Sequence, residues 1–306
     1  MIYIKELMMN YLITGGTGLI GKALIAKLSQ KNSDITVLTR NPKQAQALLG
    51  DHIHFINKLT SKSLENKAVV INLAGEPIAD KRWTKSQKNE ICQSRWQITQ
   101  QLVTLIKKAE VPPSLFISGS AIGIYGRQDK TAISENYNNF NQEFTHEICK
   151  QWEAIALGAT SDKTRVAILR TGVVLAPNAG ALAKMLLPFK LGLGGKIGDG
   201  EQMMSWIHYL DMVAAILHIV KHEELKGAIN LTAPFAVSNN DFSQALSSQL
   251  NRPCFFTSPP WLLKMLFGEM ADILLFGQNV VPTKLINSDY SFKYSTIKEA
   301  FSDLIV

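Results

Sequence analysis

The stretch Tyr11-Leu12-Ile13-Thr14-Gly15-Gly16-Thr17-Gly18-Leu19-Ile20-Gly21 decides the fold of this chain. Its apolar run predicts a β-strand, its glycines a tight turn, and the amphipathic residues after it, Lys22–Gln30, a helix. In such a unit, glycines permit the turn, close approach to a pyrophosphate, and packing of helix on strand. The pyrophosphate would lie over free N–H groups at the positive end of the helix. We therefore predict a dinucleotide site with ligands among Gly15, Thr17, Gly18, Leu19, Ile20 and Gly21.

The end of the second predicted strand, Asp34–Thr39, indicates which dinucleotide binds. An acidic residue there would accept a hydrogen bond from the ribose 2′-hydroxyl of NAD. This chain instead has Thr39 and Arg40, and Arg40 stands nineteen residues after Gly21, close to the expected separation. A guanidinium is a planar fork that suits a phosphate. We predict NADP(H) with Thr39 and Arg40 among its ligands, and the alternative is an arginine that points into solvent.

Strand and helix patterns alternate along the first half of the chain. Apolar runs at Ala68–Asn72, Ser114–Ser118 and Arg165–Leu169 are separated by helical stretches such as Lys85–Ala109. Continuous apolar strands between helices indicate a buried parallel sheet with helices on both faces. We predict an α/β fold, a Rossmann-type doubly wound parallel sheet with a smaller C-terminal substrate lobe. We predict an NADP-binding domain over 9–174, to which segments at about 205–232 return. Residues 175–306 otherwise form most of the substrate lobe, which includes a C-terminal helical domain at about 253–303.

Two later segments carry local predictions. The glycine-rich stretch Gly192–Gly200 is typical of a mobile surface loop. Asp211 stands directly before a predicted helix over 212–220, and aspartate is a favoured N-cap residue. We therefore expect Asp211 to cap that helix, and His208 to be a structural or pocket-lining residue rather than half of a catalytic pair.

Composition excludes several classes of protein. Across 306 residues the net charge is +7, spread without a concentrated basic patch, and no apolar run is long enough to span a bilayer. The charge favours anionic ligands such as phosphates. Cys92, Cys149 and Cys254 lie far apart without metal-like spacing and are typical of reduced thiols. We predict a cytoplasmic protein with a small-molecule substrate, no nucleic acid or membrane partner, and no metal site.

Further motifs accompany the glycine turn, among them Asn72-Leu-Ala-Gly75, Ser118-Gly-Ser120, and Arg170-Thr-Gly172-Val-Val174. Together they resemble the extended short-chain dehydrogenases/reductases of the NAD(P)-dependent epimerase/dehydratase superfamily. More narrowly, the chain is similar to the subfamily of nucleoside-diphosphate-sugar epimerases with an added C-terminal domain of unknown function. That likeness rests on Asn72–Ile78, Arg82-Trp83, Ser94-Arg95, Gly192–Gly195, Ser205–His208, Gly268–Met270 and Gly277-Gln278.

The resemblance implies roles for particular residues. Leu73, Ala74 and Gly75 would border the cofactor, and Val174 would lie near its nicotinamide end. Glu90 and Arg95 correspond to helix positions that reach the cofactor, although a solvated helix face is the alternative reading. Ser118 and Arg170, which belong to the quoted motifs, complete the expected cofactor-binding set.

The catalytic pattern of the superfamily is broken in this chain. Its enzymes usually combine a serine with a Tyr-x-x-x-Lys pair on one helix face, the tyrosine acting as acid and base. Ser120 stands at the serine position and is the one catalytic candidate. Alignment on Glu153 places Cys149 at the lysine position and Thr145 at the tyrosine position. We expect Tyr125, which follows Ser120 in a turn, to be a packing residue.

The substrate is also left open by the sequence. Sugar-nucleotide enzymes often carry an arginine for the pyrophosphate where this chain has Met204, although Lys190 or Lys196 offers charge nearby. We predict an NADP-dependent oxidoreductase or epimerase acting on an unidentified small polar molecule, with sugar nucleotides among the options. The alternative is a catalytically silent NADP-binding protein, such as a redox sensor or scaffold.

Overall fold

A computed structural model of the protein describes residues 9–31, 33–177 and 179–305. The strands are β1 (Asn10–Thr14), β2 (Asp34–Leu38), β3 (His54–Ile56), β4 (Val69–Asn72), β5 (Leu115–Ala121), β6 (Ala132–Ile133), β7 (Arg165–Thr171), β8 (Val173–Ala176), β9 (Gly195–Ile197), β10 (Met203–Met204), β11 (Trp206–His208), β12 (Gly227–Leu231), β13 (Val237–Ser238), β14 (Phe256–Ser258) and β15 (Asn279–Val280).

The helices are α1 (Leu19–Ser29), α2 (Pro42–Leu49), α3 (Lys85–Lys108), α4 (Phe144–Leu157), α5 (Gly180–Lys190), α6 (Tyr209–Lys221), α7 (Asn239–Gln249), α8 (Pro260–Phe267), α9 (Asp272–Leu275), α10 (Thr283–Asn287) and α11 (Ile297–Leu304). Short 3-10 helices occur at Ser61–Leu64, Ile122–Tyr125 and Gly268–Ala271.

The central sheet has seven parallel strands in the order β12-β7-β5-β4-β1-β2-β3. The chain runs from β1 outward to β2 and β3, then returns to place β4 on the other side of β1. Ligands of doubly wound sheets bind at such a reversal, outside the carboxyl ends of the strands. The predicted Rossmann-type parallel sheet is therefore confirmed, and its crevice lies where β1 and β4 end.

Both faces of the sheet are buried, because successive strand residues point to opposite sides. Ile13 of β1 belongs to an apolar cluster with Leu24 of α1 and Ile216 of α6. Its neighbour Leu12 packs on the other face, in a cluster with Leu102 of α3. Helices thus cover the sheet on both sides, which explains why its strands are continuous apolar runs.

The start of α6 corrects one prediction. The helix begins at Tyr209, and the His208 side chain, not that of Asp211, caps it by accepting a first-turn N–H. Asp211 is buried, and its carboxylate accepts the backbone N–H groups of Lys293 and Tyr294, each at 2.9 Å. The predicted N-cap was wrong because the segment that uses this carboxylate lies far away in sequence.

Part of the glycine-rich stretch is a strand, which its composition does not predict. Its residues Gly195–Ile197 form β9, which pairs in parallel with β14. A Cβ at Gly194 would lie 2.3 Å from the Phe189 ring, and one at Gly195 would lie 1.8 Å from the carbonyl oxygen of Phe256. The glycines therefore permit close packing here, and the prediction of a loop was wrong for Gly195–Ile197, whereas the flanking residues form turns at the surface. The mobility of the stretch stays a prediction.

Three further observations concern the part of the chain that the structure describes. No helix among the described residues has both the length and the apolar character that crossing a membrane requires. The three cysteines are free, with Cys92 and Cys149 buried and Cys254 partly exposed. In the described ranges, no group of three or more histidine, cysteine, aspartate or glutamate side chains is placed to hold a metal ion.

Candidate cofactor site

The turn after β1 packs directly against the turn after β4. Gly15 has a φ of +70°, and a Cβ there would lie 2.6 Å from the carbonyl oxygen of Leu73. A Cβ at Gly21 would lie 2.3 Å from the carbonyl oxygen of Gly15. Real Cβ atoms do not approach backbone so closely, so only glycine fits at both positions. The space that a side chain would fill is taken up by close approach of backbone to backbone.

The first turn of α1 opens toward this crevice. Gly18 is the N-cap residue of α1, and no side chain caps the helix. The N–H groups of Leu19, Ile20 and Gly21 therefore have no partner within the helix. Thr17 and Gly18 are exposed. Free N–H groups at the positive end of a helix form a site for an anion such as a pyrophosphate.

Buried side-chain hydrogen bonds fix the rim of the crevice. The Thr14 hydroxyl donates to Asn72 Oδ1 at 2.6 Å, and Asn72 Nδ2 donates to Thr99 Oγ1 at 2.8 Å. The indole N–H of Trp152 donates to the same Thr99 oxygen at 2.9 Å, which ties in α4. The Ala74 N–H donates to Thr14 Oγ1 at 3.3 Å. The turn Leu73–Gly75 is therefore held to β1, α3 and α4.

Arg95 brings a positive charge to this rim. A Cβ at Gly75 would lie 3.0 Å from Arg95 Cζ, and that guanidinium stands 5.4 Å from the ring centroid of Trp152. One of its N–H groups donates to the carbonyl of Ile91. Burial lowers the pKa of Arg95, and no described carboxylate forms an ion pair with it. The guanidinium is thus available to an anionic ligand, whereas Glu90 on the same helix is exposed.

Arg40 occupies the position expected for a selector of the adenosine phosphate. The N–H of Thr39 donates to the carbonyl of Ile56 on the neighbouring strand, and the N–H of Asn41 donates to Thr39 Oγ1 at 3.3 Å. Asn41 in turn caps α2. Arg40 is exposed between these anchored residues, and no ion pair within the described ranges uses its guanidinium.

Val174 and Leu19 both lie close to Gly180. A Cβ at Gly180 would lie 3.3 Å from Leu19 Cδ2 and 3.7 Å from the carbonyl oxygen of Val174. This contact joins the glycine turn to β8 and the start of α5. Ser118 is fully buried in β5, and its hydroxyl donates to the carbonyl of Gly119 at 3.3 Å. The cofactor roles of Val174 and Ser118 stay predictions.

Behind the crevice lies a buried ion pair that sequence reasoning missed. Arg170 Nε and Nη2 donate to the two carboxylate oxygens of Glu153 at 2.9 and 2.8 Å. Ser120 Oγ donates to the same carboxylate at 2.7 Å. Arg170 Nη1 also donates to the Tyr125 hydroxyl at 3.0 Å, and that hydroxyl donates to Asn230 Oδ1 at 2.7 Å. The network therefore links β5, α4, β7 and β12.

These contacts change the picture of three predicted residues. The Arg170 side chain is committed inside the protein, which corrects its assignment as a cofactor ligand through its guanidinium. Burial alone would lower the pKa of Arg170, but the Glu153 carboxylate raises it. Burial raises the pKa of Tyr125, whose fully buried ring packs in the interior. Ser120 gives its proton to Glu153, so toward a substrate hydroxyl it can act as an acceptor.

The two positions where relatives carry tyrosine and lysine hold no such groups. Thr145 is partly buried, and a Cβ at Gly123 would lie 3.0 Å from its Cβ. Cys149 is buried, and this burial, followed by the charge of Glu153, raises the pKa of its thiol to about 11. The positive charge of Arg95 lowers the pKa of this thiol, but by less than burial raises it.

The Cys149 thiol predicts a specific loss of stability in alkali. Its pKa rises on folding from an ordinary 9.0 to about 11, so the thiol ionises more readily in the unfolded chain. Its contribution to the free energy of unfolding is therefore complete below pH 9 and is lost as pH rises toward 11. Two pKa units correspond to about 2–3 kcal/mol. Between pH 9 and 11, the free energy of unfolding of the wild type should therefore fall by about 2–3 kcal/mol more than that of Cys149→Ala. Urea titration at each pH measures both. Parallel pH curves for the two proteins would contradict this, and Cys254→Ala is the control.

The connection between β4 and α3 contacts α5 and the elements after β12, which pack together and which we call the C-terminal lobe. Lys184 of α5 donates to the carbonyl of Ala79 at 2.8 Å and pairs with Asp80. Lys88 at the start of α3 pairs with Glu269 of the lobe. The connection between β4 and α3 is therefore tied to the lobe at two points.

Met204 holds the position where sugar-nucleotide enzymes often have arginine. It is partly buried, and its sulfur accepts from Asn239 Nδ2 of α7 at 3.5 Å. Lys196 Nζ donates to the carbonyl of Asp199 at 3.3 Å, and Lys190 is exposed. The described contacts do not bring either lysine to Met204, so a bidentate pyrophosphate contact like that of arginine is missing there.

Known proteins resemble the chain over almost all of its length. An epimerase family protein of Staphylococcus haemolyticus is 38% identical over 298 residues, which cover 97% of this chain and 99% of that protein. One from Staphylococcus aureus is 37% identical over 302 residues, with 97% and 99% coverage.

Solved structures also resemble the chain over almost all of its length. The human epimerase family protein SDR39U1 (isoform 2) with NADPH has a TM-score of 0.87 and 30% identity, covering 97% of this chain and 99% of that chain. The nucleoside-diphosphate sugar epimerase from Corynebacterium glutamicum has a TM-score of 0.79 and 28% identity, covering 97% of this chain and 58% of that one. A UDP-glucuronic acid 4-epimerase from Bacillus cereus in complex with NAD, 19% identical with a TM-score of 0.76, shares the fold.

Two family models account for most of the sequence. The NAD dependent epimerase/dehydratase family matches residues 11–232, and a domain of unknown function, DUF1731, matches residues 258–304. The chain therefore belongs to the NAD dependent epimerase/dehydratase family and carries a DUF1731 domain at its C-terminal end.

Proposed function

We propose that this protein binds NADP(H) at the turn between β1 and α1 and acts as an oxidoreductase or epimerase on a small polar molecule. The observation that carries the proposal is the backbone packing at Gly15 and Gly21, which leaves the uncapped N-terminus of α1 open to a pyrophosphate. Arg40 then supplies an exposed guanidinium at the end of β2, where a 2′-phosphate would lie.

The remaining predicted ligands fit the rest of such a cofactor. Leu73, Ala74 and Gly75 form the fixed turn that faces Gly15. Arg95 offers its guanidinium beside Gly75, and we assign to it the positive charge near the cofactor that the lysine of a Tyr-x-x-x-Lys pair would otherwise supply. The bound nicotinamide would supply hydride transfer, while the protein orients the substrate and handles its proton.

Ser120 is the residue that we assign to the substrate oxygen. Its hydroxyl proton is directed at the Glu153 carboxylate, so its oxygen lone pairs remain free to accept a hydrogen bond from a substrate hydroxyl. The bidentate pair between Arg170 and Glu153 holds that carboxylate in place. Ser120 would thus orient a substrate hydroxyl by accepting its hydrogen bond.

The relatives support the cofactor more than the substrate. The human family member, at 30% identity, was solved with NADPH. A sugar nucleotide is the weaker option here because Met204 provides no charge for a pyrophosphate. Three free cysteines agree with a reducing compartment, and we propose that the protein resides in the cytoplasm.

Replacing Arg40 by alanine tests the choice of cofactor. A charge-assisted contact to phosphate contributes about 1.5–3 kcal/mol, so we expect Arg40→Ala to weaken NADPH binding about ten- to hundredfold. NADH, which lacks the phosphate, should bind the variant and the wild type equally. Isothermal titration of both cofactors measures this, with Lys58→Ala as an exposed-cation control. Unchanged NADPH affinity in Arg40→Ala would remove the assignment.

Turnover is tested separately from binding. The purified protein is mixed with NADPH and a panel of carbonyl compounds, and absorbance of the reduced cofactor is followed. Oxidation of NADPH by one class of compound, reduced in Ser120→Ala, supports the enzyme. Tight NADPH binding with no oxidation across the panel supports the alternative, a silent redox sensor or scaffold, for which the lack of a Tyr-x-x-x-Lys pair is the favouring observation.

A further inference from the structure

Two segments that are far apart in sequence run side by side on the C-terminal lobe. β9 and β14 pair in parallel with Phe256 opposite Gly195. Arg252 Nε donates to the carbonyl of Lys190 at 3.1 Å. A Cβ at Gly198 would lie 3.4 Å from Pro260, at the start of α8. Residues 187–198 and 252–266 are therefore neighbours, and we call the surface that they form together the lobe face.

The lobe face exposes large apolar side chains. Phe255 is 87% exposed and Trp261 is 66% exposed. No residue of α8 is buried, although the helix is mostly apolar, whereas a surface helix normally buries an apolar stripe. The exposed apolar side chains of the face are Leu187, Leu191, Leu193, Phe255, Phe256, Trp261, Met265 and Leu266.

The charges of the lobe face have a single sign. Residues 187–198 and 252–266 contain Lys190, Lys196, Arg252 and Lys264, and neither segment contains an aspartate or glutamate. The nearest carboxylate along the chain is Asp199, at the edge of the first segment. None of these four cations takes part in an ion pair within the described ranges. A face that combines exposed aromatic and aliphatic side chains with unpaired cations complements a surface that is both apolar and anionic.

We propose that the lobe face binds the surface of an anionic lipid bilayer. Such binding needs no spanning helix, because buried apolar area and attraction between cations and lipid headgroups are sufficient. Tryptophan favours the interface between headgroups and acyl chains, and each lysine or arginine near an anionic membrane contributes about 1 kcal/mol. This revises the expectation of no membrane partner, which rested on the lack of an apolar run of spanning length.

Other occupants fit the lobe face less well. In a twofold contact between two copies, the same patch meets itself, so the four cations of one copy would face those of the other. A small apolar ligand is normally enclosed in a concave site, whereas Phe255 is almost fully exposed. A bilayer satisfies both the apolar side chains and the unpaired cations.

Vesicle sedimentation tests the proposal on the full chain. We expect the wild type to sediment with vesicles of phosphatidylcholine and phosphatidylglycerol, more weakly in high salt, and not with phosphatidylcholine alone. Trp261 is the exposed tryptophan among the five of the chain, so its emission should shift to the blue on binding. The double variant Phe255→Ser/Trp261→Ser should bind at least about tenfold more weakly, since two large side chains no longer enter the bilayer.

Val111→Ser is the matched control, because Val111 is 80% exposed at the other end of the sheet, in the connection from α3 to β5. It should bind vesicles like the wild type, and both variants should retain NADPH binding and circular dichroism. No sedimentation of the wild type, or equal loss in Val111→Ser, overturns the proposal. A dimer seen by light scattering that dissociates in the double variant, with no vesicle binding, would instead assign the face to a second copy.

Discussion

Replacement of Arg170 by methionine is expected to lower the free energy of unfolding by about 3–5 kcal/mol. The change leaves the Glu153 carboxylate buried without its bidentate partner, and the Tyr125 hydroxyl loses a donor. Removing one member of a buried ion pair costs far more than the pair itself contributes, because a lone charge remains in the interior. Urea unfolding followed by circular dichroism measures the effect.

Two comparisons separate this cause from a general packing defect. Lys184→Met removes an exposed ion pair with Asp80, which is expected to cost about 1 kcal/mol or less. The double variant Arg170→Met/Glu153→Leu removes both charges of the pair and should recover most of the lost stability, because neither of them is then left alone in the interior. If the double variant were as unstable as the single one, the buried charge would not be the cause.

The second large effect concerns Gly21. A Cβ at this position would lie 2.3 Å from the carbonyl oxygen of Gly15 and 2.7 Å from Gly16 Cα, so Gly21→Ala must push α1 away from its turn. The N–H groups of the first helical turn would then miss the pyrophosphate. Each hydrogen bond to a charged group contributes about 1.5–3 kcal/mol, so losing one or two of them weakens binding about a hundredfold. We expect NADPH affinity to fall by at least that factor in isothermal titration.

A glycine on the exposed face of the same helix is the control. Ala26→Gly weakens α1 by about 1 kcal/mol through helix propensity, without placing an atom in the turn. It should keep NADPH affinity close to that of the wild type. Equal loss of affinity in Gly21→Ala and Ala26→Gly would show that helix stability, rather than access to the turn, controls binding.

The sheet could be predicted from the sequence because its signals are local. Apolar runs such as Val69–Asn72 and the glycine turn before α1 carry their own periodicity and turn chemistry. The position of Leu73–Gly75 beside the glycine turn could also be predicted, since a doubly wound sheet brings the ends of β1 and β4 together. The cofactor assignments of individual residues remain predictions that binding experiments decide.

What the sequence did not predict depends on partners that are distant along the chain. The pairing of β9 with β14 turned an apparent glycine-rich loop into a strand. The carboxylate of Asp211 was taken by backbone groups near Tyr294, so it did not cap the helix. Arg170 carries a charge that suits a cofactor, but Glu153 faces it from another element. In each case the prediction used only neighbours along the chain, whereas partners from distant segments decided the structure.

The strand order of the central sheet also determines how much of the chain must be synthesised before the sheet can be completed. β7 ends at Thr171, but its outer neighbour β12 spans Gly227–Leu231. Until β12 is synthesised, β7 has one unpaired edge, and such an edge is a template for association with other chains. Asn230 of β12 also completes the hydrogen bonding of Tyr125, so the buried network closes at the same moment. A nascent chain that ends between these two strands would therefore expose that edge to pairing with other chains.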